Sequence, residues 1–219
     1  MAQVNVISGL SQNRLPEAQV IVVGASKLLG CGKLTYANLS DKIGHSVSES
    51  LYNEAMGRLK PDSSLSIYLD LCHVISLSGK CSRHSTPAQS HLVAREIKSC
   101  AGSSKNISVV LAVERRNLLA TVSAIARAFP LYSRKTSSNT KHSTASQKIV
   151  TIEILSLEEQ APSAEEVAFL NHAAAAVRTA ARLVDMPCCE LNTDAMTREA
   201  LQIASALGDA VRATVIRVS

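Results

Sequence analysis

Tryptophan is absent from this chain of 219 residues, which has two Phe and four Tyr against a net charge of +5. A single-strand nucleic-acid binder needs aromatic platforms for the bases as well as positive charge. The basic balance, with a pI near 9.0, is therefore read as a solvated surface, and nucleic acid is not an expected partner. No apolar run approaches the roughly 20 residues that a membrane span requires. The opening residues, MAQVNVISGLSQNRLPEAQ, lack the basic flank and apolar stretch of a secretion signal, so cytoplasmic residence is the expectation. There is no C-x-x-C pair, and no Cys/His spacing that would close a tetrahedral zinc site. Cys31, Cys72, Cys81, Cys100, Cys188 and Cys189 are read as reduced, structural, buried thiols. H-E-x-x-H and G-x-S-x-G are missing too, which removes a simple zincin and a serine hydrolase. His84 and His91 straddle an expected helix start on a serine-rich turn and are read as surface residues.

What is present is alternation of strand and helix patterns. Gln3 to Ile7, Gln19 to Val23, Ile107 to Val113 and Lys148 to Leu155 read as strands, the second and third as β-branched runs of the buried kind. Leu65, Ile67, Leu69 and Leu71 alternate with polar or Tyr neighbours, and His73 to Leu77 extends that strand or pairs with it. Helices are expected over Ser48 to Leu59, from Thr86-Pro87 to Cys100, and over Asn117 to Phe129. Residues Ser133 to Gln147, polar and low in complexity, read as a mobile loop. Pro162 and the capping box Ser163 to Glu166 open a long helix that Pro187 ends. A further helix, capped by Thr193 or Asp194, runs to Leu207 with Gly208 as its left-handed stop, and Ala213 to Val218 reads as a strand. This alternation argues for a three-layer α/β domain with a largely parallel or mixed sheet.

Two stretches look like chemistry. Gly24 to Thr35, GASKLLGCGKLT, follows a strand and resembles a phosphate-binding loop through Gly24, Gly30, Gly32 and Lys33. Its spacing fails: the first glycine should fall at Lys27, and Leu34 stands where a magnesium-holding hydroxyl should follow the lysine. A flexible loop is the expected role. The second stretch is CELNTDAMTR, Cys189 to Arg198. It shares letters with a metallopeptidase signature, yet Met196 stands at the glutamate ligand's place, and a thioether is a poor ligand for zinc or manganese. It is read as a helix start at a hinge formed by Asp185, Pro187, Thr193 and Asp194.

The residues just upstream carry a resemblance. VRTAARLVDMPCCELNTDAM, Val177 to Met196, resembles the interdomain segment of the cytosolic leucyl aminopeptidase family, the two-metal peptidases. The matching residues are Arg178, Arg182, Leu183, Val184, Asp185, Pro187, Leu191, Thr193 and Asp194. Ser82 to His91 and Ala124 to Thr136 look similar to the branch of animal probable aminopeptidase-like proteins. The resemblance implies a macro-like N-terminal domain over residues 1–160, a linker helix over 161–188 and the truncated beginning of a catalytic domain over 189–219. It further implies a parent that releases N-terminal amino acids from peptides, with two divalent metals (zinc or manganese) and assembly into hexamers. The family's Lys-Gly-x-x-x-Asp segment is absent, so no catalytic or metal-binding residue is assigned here, and the chain alone is expected to be inactive. The alternative is a non-catalytic binding module of macro-like fold for ADP-ribose, other phosphate ligands or DNA.

Overall fold

The computed structural model describes residues 2–11, 18–30, 33–44, 46–67, 72–102, 104–132, 148–157 and 160–217. The strands are β1 (Ala2–Ser8), β2 (Gln19–Ala25), β3 (Ser63–Ile67), β4 (Cys72–Leu77), β5 (Asn106–Ala112) and β6 (Lys148–Ile154). They form one sheet in the order β1-β6-β5-β2-β4-β3. All neighbours are parallel except β3, which runs antiparallel to β4 at one edge. β2 is buried along all but its last residue, as a central strand covered on both faces must be. Its side chains alternate between two cores: Ile21 and Val23 enter one, Val20 and Val22 the other.

Helices cover both faces. α1 (Ser26–Gly30), α2 (Tyr36–Ile43) and α3 (Glu49–Arg58) follow β2, and Leu29, Leu39, Ile43 and Tyr52 build the second core. α4 (Ser90–Cys100), α5 (Leu118–Ala128) and α6 (Ala164–Asp185) cover the other face through Val93, Ile97, Val122, Ile125, Leu170 and Ala174. The expected three-layer arrangement with a mixed sheet is therefore observed. α6 opens with the capping box read from its sequence: Ser163 Oγ accepts from the Glu166 amide, and the Glu166 carboxylate accepts from the Ser163 amide at 2.9 Å. No helix among the described residues is long and apolar enough to cross a membrane.

The structure corrects several sequence expectations. The segment after β2 is not all loop, because Ser26–Gly30 and Tyr36–Ile43 are helical. The alternation of Leu65 and Ile67 ends within β3, and β4 folds back on it; Leu69 and Leu71 lie outside the described residues. α4 starts at Ser90 rather than at Thr86-Pro87. The Gln89 amide closes a turn on the Thr86 carbonyl at 3.0 Å, and Gln89 itself sits at φ 42 with its side chain donating to Ser78 Oγ. A residue held in the left-handed region cannot belong to a right-handed helix. Residues 211–217 are not a strand; Val215 and Ile216 are exposed and no sheet edge pairs with them. The expected loop over 133–147 lies outside the described residues.

Candidate functional site

After α6, the Pro187 carbonyl accepts from the amides of Glu190 and Leu191, both at 2.9 Å, which turns the chain into α7 (Thr193–Ala206). The cap of α7 is Asn192, not Thr193 or Asp194: its side-chain oxygen accepts from the Ala195 amide at 2.9 Å. The two expected caps already lie inside the first turn, one and two residues too late for the geometry. Gly208, at φ +56, stands just beyond the helix as expected. We expect Asn192→Ala to weaken α7 by about 1 kcal/mol, and Asp194→Ala by only a few tenths through the helix dipole. Hydrogen exchange of the α7 amides measures both, and equal losses of protection would place the cap elsewhere.

The elbow is held by contacts that sequence spacing did not suggest. Arg182 on α6 makes a two-pronged ion pair with Glu199 on α7, at 3.1 and 2.6 Å. The pair holds the Glu199 carboxyl below its ordinary value and raises Arg182. Asp185 lies 3.8 Å from Arg127, and Asp194 lies 3.8 Å from Arg217. Tyr132 Oη donates to the Glu190 carboxylate at 2.9 Å. Met196 is exposed on α7, pointing at no ion-pair partner. Asp194, Met196 and Arg198 are each exposed on α7, with Met196 two residues from either and so on the opposite side of the helix, and the described residues contain no group of three or more His, Cys, Asp or Glu able to hold a metal ion. The residues present do not fit a two-metal centre.

The glycine-rich stretch also has an architectural explanation. A side chain at Gly24 would come within 2.6 Å of Leu29 Cδ2, so the missing Cβ is what lets α1 fold back onto β2. Gly30 ends α1, Lys33 is exposed on the following bend, and Gly32 lies outside the described residues. A crevice does open nearby, at the carboxyl ends of β2, β4 and β5. Lys27, Ser78, Gly79, Glu114, Arg116 and Asn117 face a cavity of about 120 Å³ there. Lys27 and Arg116 both pair with Glu114, and the Lys27 hydrogen bond, above all, holds that carboxyl below its ordinary value. Open α/β sheets place ligands at this position, so Glu114-Arg115-Arg116 at the end of a buried strand was the available signal. Both cations of the crevice are already paired with its own carboxylate.

The remaining chemistry-bearing residues are scattered. His84, His91 and His172 are exposed, and none belongs to a metal-binding group among the described residues; His45 and His142 lie outside the described residues. Of the described cysteines, Cys72 alone is buried, and burial pushes its thiol up to about 12. Cys81, Cys188 and Cys189 are exposed, against the expectation of buried thiols, because they sit on loops and on the elbow rather than in β4.

A mostly parallel sheet sandwiched by helices, leaving through one long helix into an elbow, defines an α/β domain of a kind that several classes of protein contain, with no metal-binding cluster among its described residues. The comparisons say which. The family profile described as M17 aminopeptidase N-terminal domain 2 matches residues 18–138. The chain is 29% identical over 189 residues to the probable aminopeptidase NPEPL1 of Mus musculus, covering 84% of this chain and 35% of that protein. It is 31% identical over 168 residues to leucine aminopeptidase 1 of Caenorhabditis elegans, covering 76% of this chain and 32% of that protein. A solved structure of Caenorhabditis elegans leucine aminopeptidase superposes with a TM-score of 0.82 at 27% identity, over 94% of this chain and 41% of that one. The chain belongs to the M17 aminopeptidases and is the N-terminal domain of a leucyl-aminopeptidase-like protein. It spans about a third of the length of the curated relatives it matches.

Proposed function

We propose that this chain is the structural and assembly portion of a metallo-aminopeptidase that releases N-terminal residues from peptides, without itself carrying chemistry. The observation that carries this reading is the match over residues 18–138 to an aminopeptidase N-terminal domain, together with the lack of any metal-binding cluster among the described residues. In this reading the fold is of the macro type, residues 1–160 are the domain proper, 161–188 the linker helix and 189–219 the entry to the catalytic part. Asp185, Pro187, Thr193 and Asp194 form the hinge between them, with the Arg182 and Glu199 pair as its brace. Two zinc or manganese ions, hexameric assembly and a cytoplasmic setting belong to the intact enzyme and reach this chain by family resemblance alone.

The test is direct. The 219-residue chain, supplied with zinc or manganese, is expected to give no leucyl-amide hydrolysis above a metal-only blank. Turnover that scales with protein concentration would overturn the reading, since it would require a catalytic centre in residues where none is found.

A further inference from the structure

At the end of the sheet opposite the crevice, where β1 and β6 begin and α4 and α5 end, an open cleft of about 340 Å³ is lined by Ala2, Lys98, Ala101, Phe129, Pro130 and Lys148, among others. Helix carboxyl ends carry unsatisfied carbonyls and partial negative charge, and here cations meet them. Lys148 Nζ donates to the carbonyls of Ala101 and Gly102 at 3.2 and 2.8 Å. Arg178, buried behind the cleft wall, donates through Nε to the Phe129 carbonyl at 2.9 Å and through Nη2 to the Ala2 carbonyl at 2.6 Å. Lys98, exposed at the rim in the last turn of α4, makes no hydrogen bond or ion pair among the described residues.

None of these three cations has a carboxylate within ion-pair distance among the described residues. The chain that joins Pro130 to Lys148 supplies none either, because residues 133–147 contain Arg134, Lys135 and Lys141 but neither Asp nor Glu. Neutral carbonyls satisfy donors without cancelling charge. Burial accordingly lowers the proton affinity of both Lys148 and Arg178, the sign of positive charge drawn out of water with no counter-ion. The ammonium of Lys148 has three N–H groups and spends two, and the guanidinium of Arg178 has five and spends two. Lys148 therefore keeps a donor for an acceptor from outside, and Arg178, which is buried and does not line the cleft, adds positive charge behind it. The Lys27, Glu114 and Arg116 crevice differs in that both of its cations have a carboxylate partner, the shared Glu114.

We infer that this cleft is a binding site for a small oxyanion, a phosphate or carboxylate group, held by Lys98 and Lys148 with Arg178 behind them. The inference does not rest on the peptidase reading: Lys98 and Lys148 lie on α4 and β6, and Arg178, although it stands on the linker helix, enters only through its contacts with the Phe129 and Ala2 carbonyls.

The experiment titrates the intact chain with inorganic phosphate and, separately, with acetate, at ionic strength held constant with sodium chloride, following thermal unfolding and calorimetric binding. A ligand that binds only the folded state raises the midpoint in a saturable way, whereas general screening does not saturate. Phosphate or acetate is expected to saturate; whichever does so at lower concentration identifies the class of group. Lys98→Ala is expected to weaken that binding about tenfold, the loss of one charge-assisted contact, and to lower the midpoint without ligand only slightly, because Lys98 makes no hydrogen bond among the described residues and meets only the dipole at the end of α4. Lys27→Ala, at the opposite end of the sheet, is expected to leave binding unchanged. Absence of saturation with both anions, or a Lys98→Ala variant that binds as the wild type does, would overturn the inference and leave Lys148 and Arg178 as helix caps alone.

Discussion

Glu153→Leu is expected to destabilise the chain by about 3–5 kcal/mol, the cost of leaving one member of a buried ion pair without the other. Glu153 lies on β6 with 1% exposure, and Lys42 on α2 with 5%. One carboxylate oxygen accepts from Lys42 Nζ and from Ser108 Oγ, both at 2.7 Å; the other accepts from the Ser11 amide at 2.7 Å. Lys42 also reaches Ser11 Oγ at 3.3 Å. The network thus ties α2, β5, β6 and the segment after β1 to one point on the face of the second core. Removing the carboxylate strands an ammonium among Val110, Leu39 and Ile43 and leaves the Ser11 amide unsatisfied. The double variant Lys42→Met/Glu153→Leu removes both charges, and it is expected to recover most of the loss, because apolar replacements of a buried pair are often neutral or better. Urea unfolding with an unchanged slope measures the difference. A loss below about 1 kcal/mol in the single variant would mean that water reaches Lys42 and that the pair is not buried in solution.

This network also marks where the sequence stopped being legible. β2 and β5 were readable because strands covered on both faces must be apolar at every position, and that leaves a run rather than an alternation. α6 was readable because its capping box and terminal proline are local signals. Lys42 and Glu153 are 111 residues apart and sit in polar-looking surroundings, Ser-Asp-Lys and Thr-Ile-Glu-Ile, that read equally well as surface. Nothing local tells a buried carboxylate from an exposed one. α1 and α2 were obscured for a related reason: Gly24, Gly30 and Gly32 signal a loop by composition, whereas Gly24 serves close packing against Leu29. The turn before α4 was misplaced because a hydroxyl followed by proline is a good helix start in isolation. Here the tertiary hold on Gln89, through Ser78, delays the helix.

At the elbow the ends of the helices were legible and the capping residue was not. Pro187 as terminator and Gly208 as stop were both readable, while the cap moved by one residue to Asn192, an equally good capping side chain. Discrimination among Asn192, Thr193 and Asp194 needs the backbone path out of the Pro187 turn. The Arg182 and Glu199 pair needs the angle between α6 and α7, which no residue spacing contains. The cleft cations were invisible for the same reason: Lys98, Lys148 and Arg178 come from three elements and meet only when the sheet closes.

Asn171→Leu is expected to cost about 2–4 kcal/mol and to make the protein prone to self-association through β1. β1 is an edge strand, and edge strands present unpaired amides and carbonyls to other chains. Asn171, on α6, covers this edge by acting as a strand partner: its side-chain oxygen accepts from the Val6 amide and its side-chain nitrogen donates to the Val6 carbonyl, both at 2.9 Å. Two helical turns on, Arg178 takes the carbonyl of Ala2. That spacing advances about 10 Å along the helix, close to the roughly 13 Å that separates Ala2 from Val6 along an extended strand. One helix face thereby occupies two outward positions of the same edge. The other edge needs no such cover, because β3 has only five residues, three of them serine. Leucine at position 171 keeps apolar volume against the core but leaves two part-buried backbone groups without partners, each costing about 1–2 kcal/mol. Asn171→Asp separates the two bonds. It retains an acceptor for the Val6 amide and loses the donor to the carbonyl, so it should fall between wild type and Asn171→Leu. Denaturant midpoints give the stability order, and sedimentation at rising concentration gives the association. If Asn171→Leu unfolds like the wild type and stays monomeric wherever the wild type does, the edge is protected by packing of α6 alone, and the polar pair is incidental.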